Sequence, residues 1–192
     1  MRKVISDLRI TNYALQIIMK YLELRRHSKR VIPGDHLSQA GVALARRVGE
    51  AMGPFGLVIT STLPRAFETA IAMGFAVQEQ REEICPLDDD INEALFYPAP
   101  FTRWVPHVKT HKVLARCVKA QSDLLHDVVR QLDEGDSALV VSHGGVMEVG
   151  AVGCMPQFDW AQAGDVMSYC EGVRLAFDGV RFVKAEVLRM KS

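Results

Sequence analysis

The chain has 192 residues, with 23 basic and 23 acidic side chains that cancel to a formal net charge of zero. This length is enough for the core of one α/β domain, and the charge balance predicts no standing affinity for nucleic acid or an anionic membrane. The four cysteines form no CxxC pair, which argues against a zinc site or a disulfide scaffold.

The same features suggest a cellular location. Few, unpaired cysteines fit a reducing cytosol, and the sequence contains neither a secretion signal nor a long apolar span. We therefore expect a cytoplasmic protein. Residues 1 to 19 are predicted to form an N-terminal extension, and residues 20 to 192 a single domain.

The first predicted core strand is Tyr21 to Leu24, which runs directly into Arg25-Arg26-His27. After a loop, Ser38 is placed to cap a helix whose apolar positions end near Gly49. A second buried strand at 57–59 continues through Ser61 into a helix with Pro64 in its first turn, where the missing N–H of proline costs nothing.

The stretch 78–110 has little periodicity and contains four prolines and the acidic run at 88–90, so it is predicted to form active-site loops. A helix is predicted over 112–132, and a third buried strand over 138–141. That strand is followed by Ser142-His143-Gly144-Gly145 and a further helix. Near the end, segments 173–177 and 180–188 flank Asp178-Gly179, which predicts a hairpin with a two-residue turn.

Strands that alternate with helices predict a three-layer α/β/α sandwich with a mostly parallel central sheet. In such sheets, ligands bind beyond the carboxyl ends of the strands. The three core strands end in polar residues there: Arg26-His27, Ser61 with Arg65 one turn on, and Ser142-His143. Arginine suits phosphate oxygens and neutral imidazole can attack phosphorus, so this combination indicates phosphoryl transfer.

Four motifs in order also carry a family resemblance. Residues 24–28 (LRRHS) resemble the LxRHG signature of the histidine phosphatase (phosphoglycerate mutase-like) superfamily. Residues 37–41 (LSQAG) are similar to its LTxxG, 61–70 (STLPRAFETA) to its SxxxRAxxTA, and 140–145 to its VVSHGG. One position departs from the pattern, because Ser28 stands where the signature has glycine.

The resemblance implies a phosphoglycerate mutase-like fold and a metal-independent phosphatase in which His27 becomes phosphorylated. It implies that Arg26, Arg65 and His143 bind the phosphoryl group. Arg30 is added because its position resembles the RHGxR element of the histidine acid phosphatase branch. Residues 87–95 (LDDDINEAL) resemble the segment with the catalytic acid, which predicts Glu93 as proton donor and Asp90 as the alternative.

No cofactor and no metal are expected, and the predicted partner is a small phosphorylated substrate or a phosphoprotein. Three classes of function stay open at this point. The first is hydrolysis of a phosphomonoester or phosphohistidine, and the second is a cofactor-dependent mutase. The third is a non-catalytic domain that binds phosphoryl ligands. Hydrolysis is preferred because the interval between the second arginine motif and the late histidine is short compared with mutases of the resembled family.

Overall fold

The computed structural model describes residues 19–190, which contain one six-stranded sheet in the order β3-β2-β4-β1-β5-β6. The strands are β1 (Lys20–Arg26), β2 (Leu57–Ser61), β3 (Glu79–Arg81), β4 (Ser137–Ser142), β5 (Gly172–Phe177) and β6 (Phe182–Leu188). Strands β1 to β4 are mutually parallel, and β5 and β6 pair antiparallel at one edge. The sheet is therefore mostly parallel, as predicted.

Six α-helices accompany this sheet in the described residues: α1 (Gln39–Gly49), α2 (Pro64–Ala72), α3 (Asp89–Ala94), α4 (Phe101–Trp104), α5 (Lys112–Arg130) and α6 (Val146–Cys154). The predicted caps are present, since the Ser38 side chain accepts a hydrogen bond from Gly41 N at the start of α1, and Pro64 opens α2.

The two faces of the central strands explain the layers. In β4, Leu139 and Val141 pack toward Ala66 and Ala70 of α2, while the alternate residues join the larger core beneath α5 and α6. Successive side chains of a strand point to opposite faces, so a strand covered on both sides is apolar throughout. This pattern confirms the three-layer arrangement.

Two sequence predictions about local structure are wrong. The stretch 78–110 is not only loop, because it contains β3, α3, α4 and short 3₁₀ helices at Glu82–Ile84 and Val105–His107. These elements are too short to produce a readable period. The hairpin turn is shifted by one residue, since Asp178 N donates to Arg181 O and so leaves Gly179 and Val180 at the tip instead of Asp178 and Gly179; the Asp178 carboxylate also accepts from the amides of Val180 and Arg181.

The proposed N-terminal extension lies outside the described residues, apart from its last position, so its extent stays a prediction. From residue 19 to residue 190, none of the helices combines the length and the apolar character needed to cross a membrane.

Candidate active site

The two histidines that follow the central strands lie side by side. Strand pairing sets Arg26 opposite Ser142, and the amide of His27 donates to the carbonyl of Ser142 at 2.8 Å. The next residue after Ser142 is His143, and its ring centroid lies 5.1 Å from that of His27. Adjacent parallel strands thus bring both imidazoles to one point at the carboxyl edge of the sheet.

A hydrogen bond to the backbone fixes the tautomer of His27. The ring is 6% exposed, and Nδ1 lies 2.7 Å from the carbonyl oxygen of Ser28. Because a carbonyl only accepts, Nδ1 must carry the proton, which leaves the lone pair on Nε2. Burial is the main cause that lowers the pKa of His27 to about 4, with Arg65, Arg26 and Arg30 acting in the same direction. His27 is therefore neutral at physiological pH.

His143 is held in the opposite tautomer. Its Nδ1 accepts from Arg65 Nε at 3.3 Å, so the proton is on Nε2, which lies 2.7 Å from the hydroxyl oxygen of Ser61. Burial, and then His27, lower the pKa of His143 to about 2. The ring is therefore a neutral N–H donor beside His27, and such a donor can bind an anionic oxygen.

Three arginines surround this pair. Arg26 Nη1 donates to the carbonyl of Met167 at 2.6 Å, its guanidinium lies 4.9 Å from the centroid of the Tyr169 ring, and its buried Nε has no hydrogen-bond partner within residues 19–190. Arg65 also donates through Nη1 to the carboxylate of Asp35. Arg30 Nη1 donates to the carbonyl of Gly34 at 2.6 Å.

These groups line one cavity of about 240 Å³. Its walls contain the two histidines and three arginines together with uncharged residues: Arg26, His27, Arg30, Arg65 and His143, with Ile32, Pro86, Asn92, Tyr97, Gly144 and Tyr169. A phosphoryl group entering this space meets guanidinium and imidazole donors on the sheet side. Five of the sequence-predicted site residues are thus brought together.

Gly144 and Gly145 form the turn between β4 and α6. A Cβ on Gly144 would lie 2.1 Å from the Tyr97 hydroxyl oxygen, and Gly145 has φ +88. Neither position accepts a side chain without displacement or strain. The Gly145 amide donates to the buried carboxylate of Glu148 at 2.7 Å, which fixes the turn from the helix side.

Ser28, the departure from the family pattern, does not crowd the cavity. Its hydroxyl donates to the carbonyl of Gly41 at 2.7 Å, and its amide donates to the Thr69 hydroxyl at 2.9 Å. The side chain therefore points toward α1, and it is not part of the cavity wall.

The predicted proton donors occupy a different place. Glu93 and Asp90 line a separate cavity of about 570 Å³ together with His107 and His111, whereas their neighbour Asn92 lines the histidine cavity. One residue along a helix rotates a side chain by about 100°, so α3 directs Asn92 and Glu93 to different sides. The structure does not bring Glu93 together with His27.

Sequence reasoning gave no role to three residues that touch the site. Ser61 was noted only as a strand end, although its hydroxyl contacts His143. Tyr97 and Tyr169 come from distant segments with no motif around them, so only the folded chain brings them to the cavity.

Arg25 faces the other side of β1, as strand alternation predicts, and is buried in contact with Glu23.

No cluster of three or more histidine, cysteine, aspartate or glutamate side chains within residues 19–190 is arranged to hold a metal ion.

No family model and no curated protein matches the sequence. Solved structures do match. A phosphoserine phosphatase from Entamoeba histolytica in complex with 3-phosphoglyceric acid is 18% identical with a TM-score of 0.68, covering 90% of this chain and 98% of that one. A phosphoglycerate mutase from Bacillus anthracis is 16% identical with a TM-score of 0.63, covering 90% and 95%.

A mycobacterial glucosyl-3-phosphoglycerate phosphatase in complex with VO3 is 20% identical with a TM-score of 0.60, covering 88% of this chain and 98% of that one. Each match spans nearly the whole of both chains. Together they confirm the fold that the four motifs predict.

Proposed function

We propose that this chain, which has the phosphoglycerate mutase-like fold of the histidine phosphatase superfamily, is a metal-independent phosphatase that works through a phosphohistidine on His27. The observation that carries the proposal is the pairing of two neutral histidines of opposite tautomer in one arginine-lined cavity. One presents a lone pair on Nε2 and the other an N–H, which are the two functions an in-line transfer from a monoester needs.

In the proposed first step, His27 Nε2 attacks phosphorus and the bond to the leaving oxygen breaks. Arg26 and Arg65 neutralise the equatorial oxygens, and the Nε2 proton of His143 donates to one of them in place of Ser61. The buried Nε of Arg26, which has no partner in the described part of the chain, supports this, because an anion beside it would satisfy that donor. In the second step water attacks the phosphohistidine, and inorganic phosphate leaves.

The guanidinium groups supply the positive charge that a metal ion supplies in other phosphatases. Planar guanidinium donors match phosphate oxygens, and burial around the histidines strengthens each interaction by excluding water. We therefore expect full activity in the presence of a chelator. Arg30 is proposed as a third phosphate ligand, since it lines the same cavity.

The proposed substrate is a phosphomonoester or a phosphohistidine, carried by a small molecule or by a protein. The proposed location of the enzyme is the cytoplasm. Two similar structures are named as phosphatases of phosphoserine and of glucosyl-3-phosphoglycerate, and a histidine-to-alanine variant of the former is described in complex with phosphoserine. These names support hydrolysis of small phosphorylated metabolites as the first class to screen.

The decisive experiment is a chemical trap. Wild-type protein mixed with ³²P-labelled substrate and quenched under alkaline conditions should retain one label on His27, identified by peptide mapping, and His27→Ala should retain none and show no turnover. Label on a serine, cysteine or aspartate, or turnover by His27→Ala, would overturn the mechanism.

A second assay separates hydrolysis from mutase action. Incubated with 3-phosphoglycerate and a trace of the bisphosphate, a phosphatase releases inorganic phosphate from its preferred substrate much faster than it interconverts phosphoglycerates. Rapid interconversion without phosphate release would move the protein to the mutase class.

A further inference from the structure

The proposed reaction needs a proton for the leaving oxygen, and the two carboxylic acids expected to give it lie in another cavity. Among the described residues that line the histidine cavity, none carries a carboxylate, and two carry a phenolic hydroxyl, Tyr97 and Tyr169. The inference below rests on the proposed function, because the proton donor acts in the proposed reaction.

The backbone of Tyr97 is held in place at the wall of the cavity. The Tyr97 amide donates to Asn92 O at 2.9 Å, and the Asn92 side chain donates to Leu87 O at 2.8 Å, so the segment after α3 is tied to the loop before it. The oxygen of Tyr97 packs against the α-carbon of Gly144, where even a methyl group would be 2.1 Å away. It therefore lies beside the residue that follows His143.

Tyr169 contacts the site residues through its aromatic ring. Its ring lies 4.9 Å below the Arg26 guanidinium and 5.8 Å from the His27 ring, so it presents its aromatic ring to both groups. That arrangement supports the position of Arg26 through a cation–π contact. Tyr97, in contrast, presents its oxygen to the turn after β4.

Burial and the charge of Arg26 act on the Tyr97 hydroxyl in opposite directions. Burial is the main cause that raises the pKa of Tyr97, so the resting phenol keeps its proton, while the charge of Arg26 acts in the opposite direction. A guanidinium beside the hydroxyl stabilises the phenolate after the proton has left. A phenol is still a far stronger acid than an alkyl alcohol, so transfer to a departing alkoxide is favourable.

We propose that Tyr97 is the proton donor of this phosphatase. As His27 Nε2 bonds to phosphorus and the ester bond breaks, the proton moves from Tyr97 Oη to the leaving oxygen, which departs as the alcohol. The Tyr97 phenolate then accepts a proton from the attacking water as the phosphorus–nitrogen bond breaks. The electron pair returns to His27 Nε2, phosphate leaves, and both side chains are restored.

The test compares two substrates of similar bulk but different leaving groups, p-nitrophenyl phosphate and benzyl phosphate. The rate of leaving-group release in the first turnover is measured, because it reports only the step in which the donor acts. Tyr97→Phe should slow benzyl alcohol release about 100-fold, the low end of general acid catalysis, and nitrophenolate release less than about threefold. Nitrophenolate leaves without a proton, so loss of the proton donor should slow mainly the release of benzyl alcohol. A packing defect would instead slow both substrates alike.

Tyr169→Phe is the matched control and should not change the ratio of the two rates. Glu93→Gln should leave both rates near the wild-type values. An equal effect of Tyr97→Phe on both substrates, or a selective loss of benzyl phosphate turnover in Glu93→Gln, would overturn the assignment. Failure of the proposed function is distinguishable, because it would appear as a missing label on His27 in the wild type, whatever the behaviour of Tyr97→Phe.

Discussion

The carboxylate of Asp35 accepts a hydrogen bond from Nη1 of Arg65. The same carboxylate lies 3.9 Å from Arg30, so one acidic side chain faces two of the proposed phosphate ligands. Its loop is fixed at both ends, because Val31 N donates to His36 O and Leu37 N donates to the Glu68 carboxylate on α2. In the proposed mechanism, Asp35 therefore competes with the phosphoryl group for Nη1 of Arg65.

Replacing Asp35 with asparagine should tighten anion binding. The variant removes the competing charge while keeping the shape of the side chain, so inhibition by orthovanadate should become about three- to fivefold stronger, the scale of a half-exposed ion pair. Competitive inhibition constants measure this, with Asp127→Asn on the exposed face of α5 as control. Unchanged or weaker inhibition would mean that Asp35 orients Arg65 rather than competing for it.

Arg30 tests the size of the phosphate pocket. If its guanidinium binds a phosphoryl oxygen, Arg30→Ala should lower kcat/KM by an amount equivalent to about 1.5 to 3 kcal/mol of transition-state binding, the usual scale of a charge-assisted hydrogen bond. The exposed Arg130 on α5 supplies the control, Arg130→Ala. Kinetics equal to those of the control would assign Arg30 to the loop alone, where it bonds to Gly34.

The buried histidines link stability to pH. The pKa of His27, about 4 in the folded chain, lies below its value of 6.5 in the unfolded chain, so below pH 6.5 the unfolded state binds more protons. The free energy of unfolding should fall as pH drops from 6.5 toward 4, by an amount on the order of 3 kcal/mol from His27. Denaturant titrations of the wild type and His27→Ala measure it, and equal pH slopes would contradict it.

Ser28 is expected to serve stability rather than catalysis. Ser28→Ala removes a buried hydrogen bond to the Gly41 carbonyl, which should lower the free energy of unfolding by about 0.5 to 1.5 kcal/mol. Since the hydroxyl points away from the cavity, kcat/KM should stay within about twofold of the wild type. A large catalytic loss with unchanged stability would place the hydroxyl at the phosphoryl group instead.

The sequence predicts which residues lie at the carboxyl edge of the sheet, but it does not predict which residue of α3 lines the cavity. Buried strands at 57–59 and 138–141 are apolar on both faces, and the polar residues that follow them are set by strand geometry, so His27, His143, Arg26 and Arg65 converge as predicted. In contrast, α3 has fewer than two turns, and a shift of one residue decides between Asn92 and Glu93. No local pattern encodes that choice.

The backbone bond between His27 and Ser142 has a consequence for how the protein can evolve. The amide of His27 is part of the hydrogen bonding between two central strands, so its exchange with solvent requires β1 and β4 to separate. In the loop 29–38, which contributes Arg30 and Ile32 to the cavity wall, the backbone pairing is a single antiparallel bridge between Arg30 and Leu37. A position of that loop without a proposed role, such as Ile32, can therefore change the shape of the cavity without disturbing the hydrogen bond between β1 and β4 that sets the two imidazoles side by side.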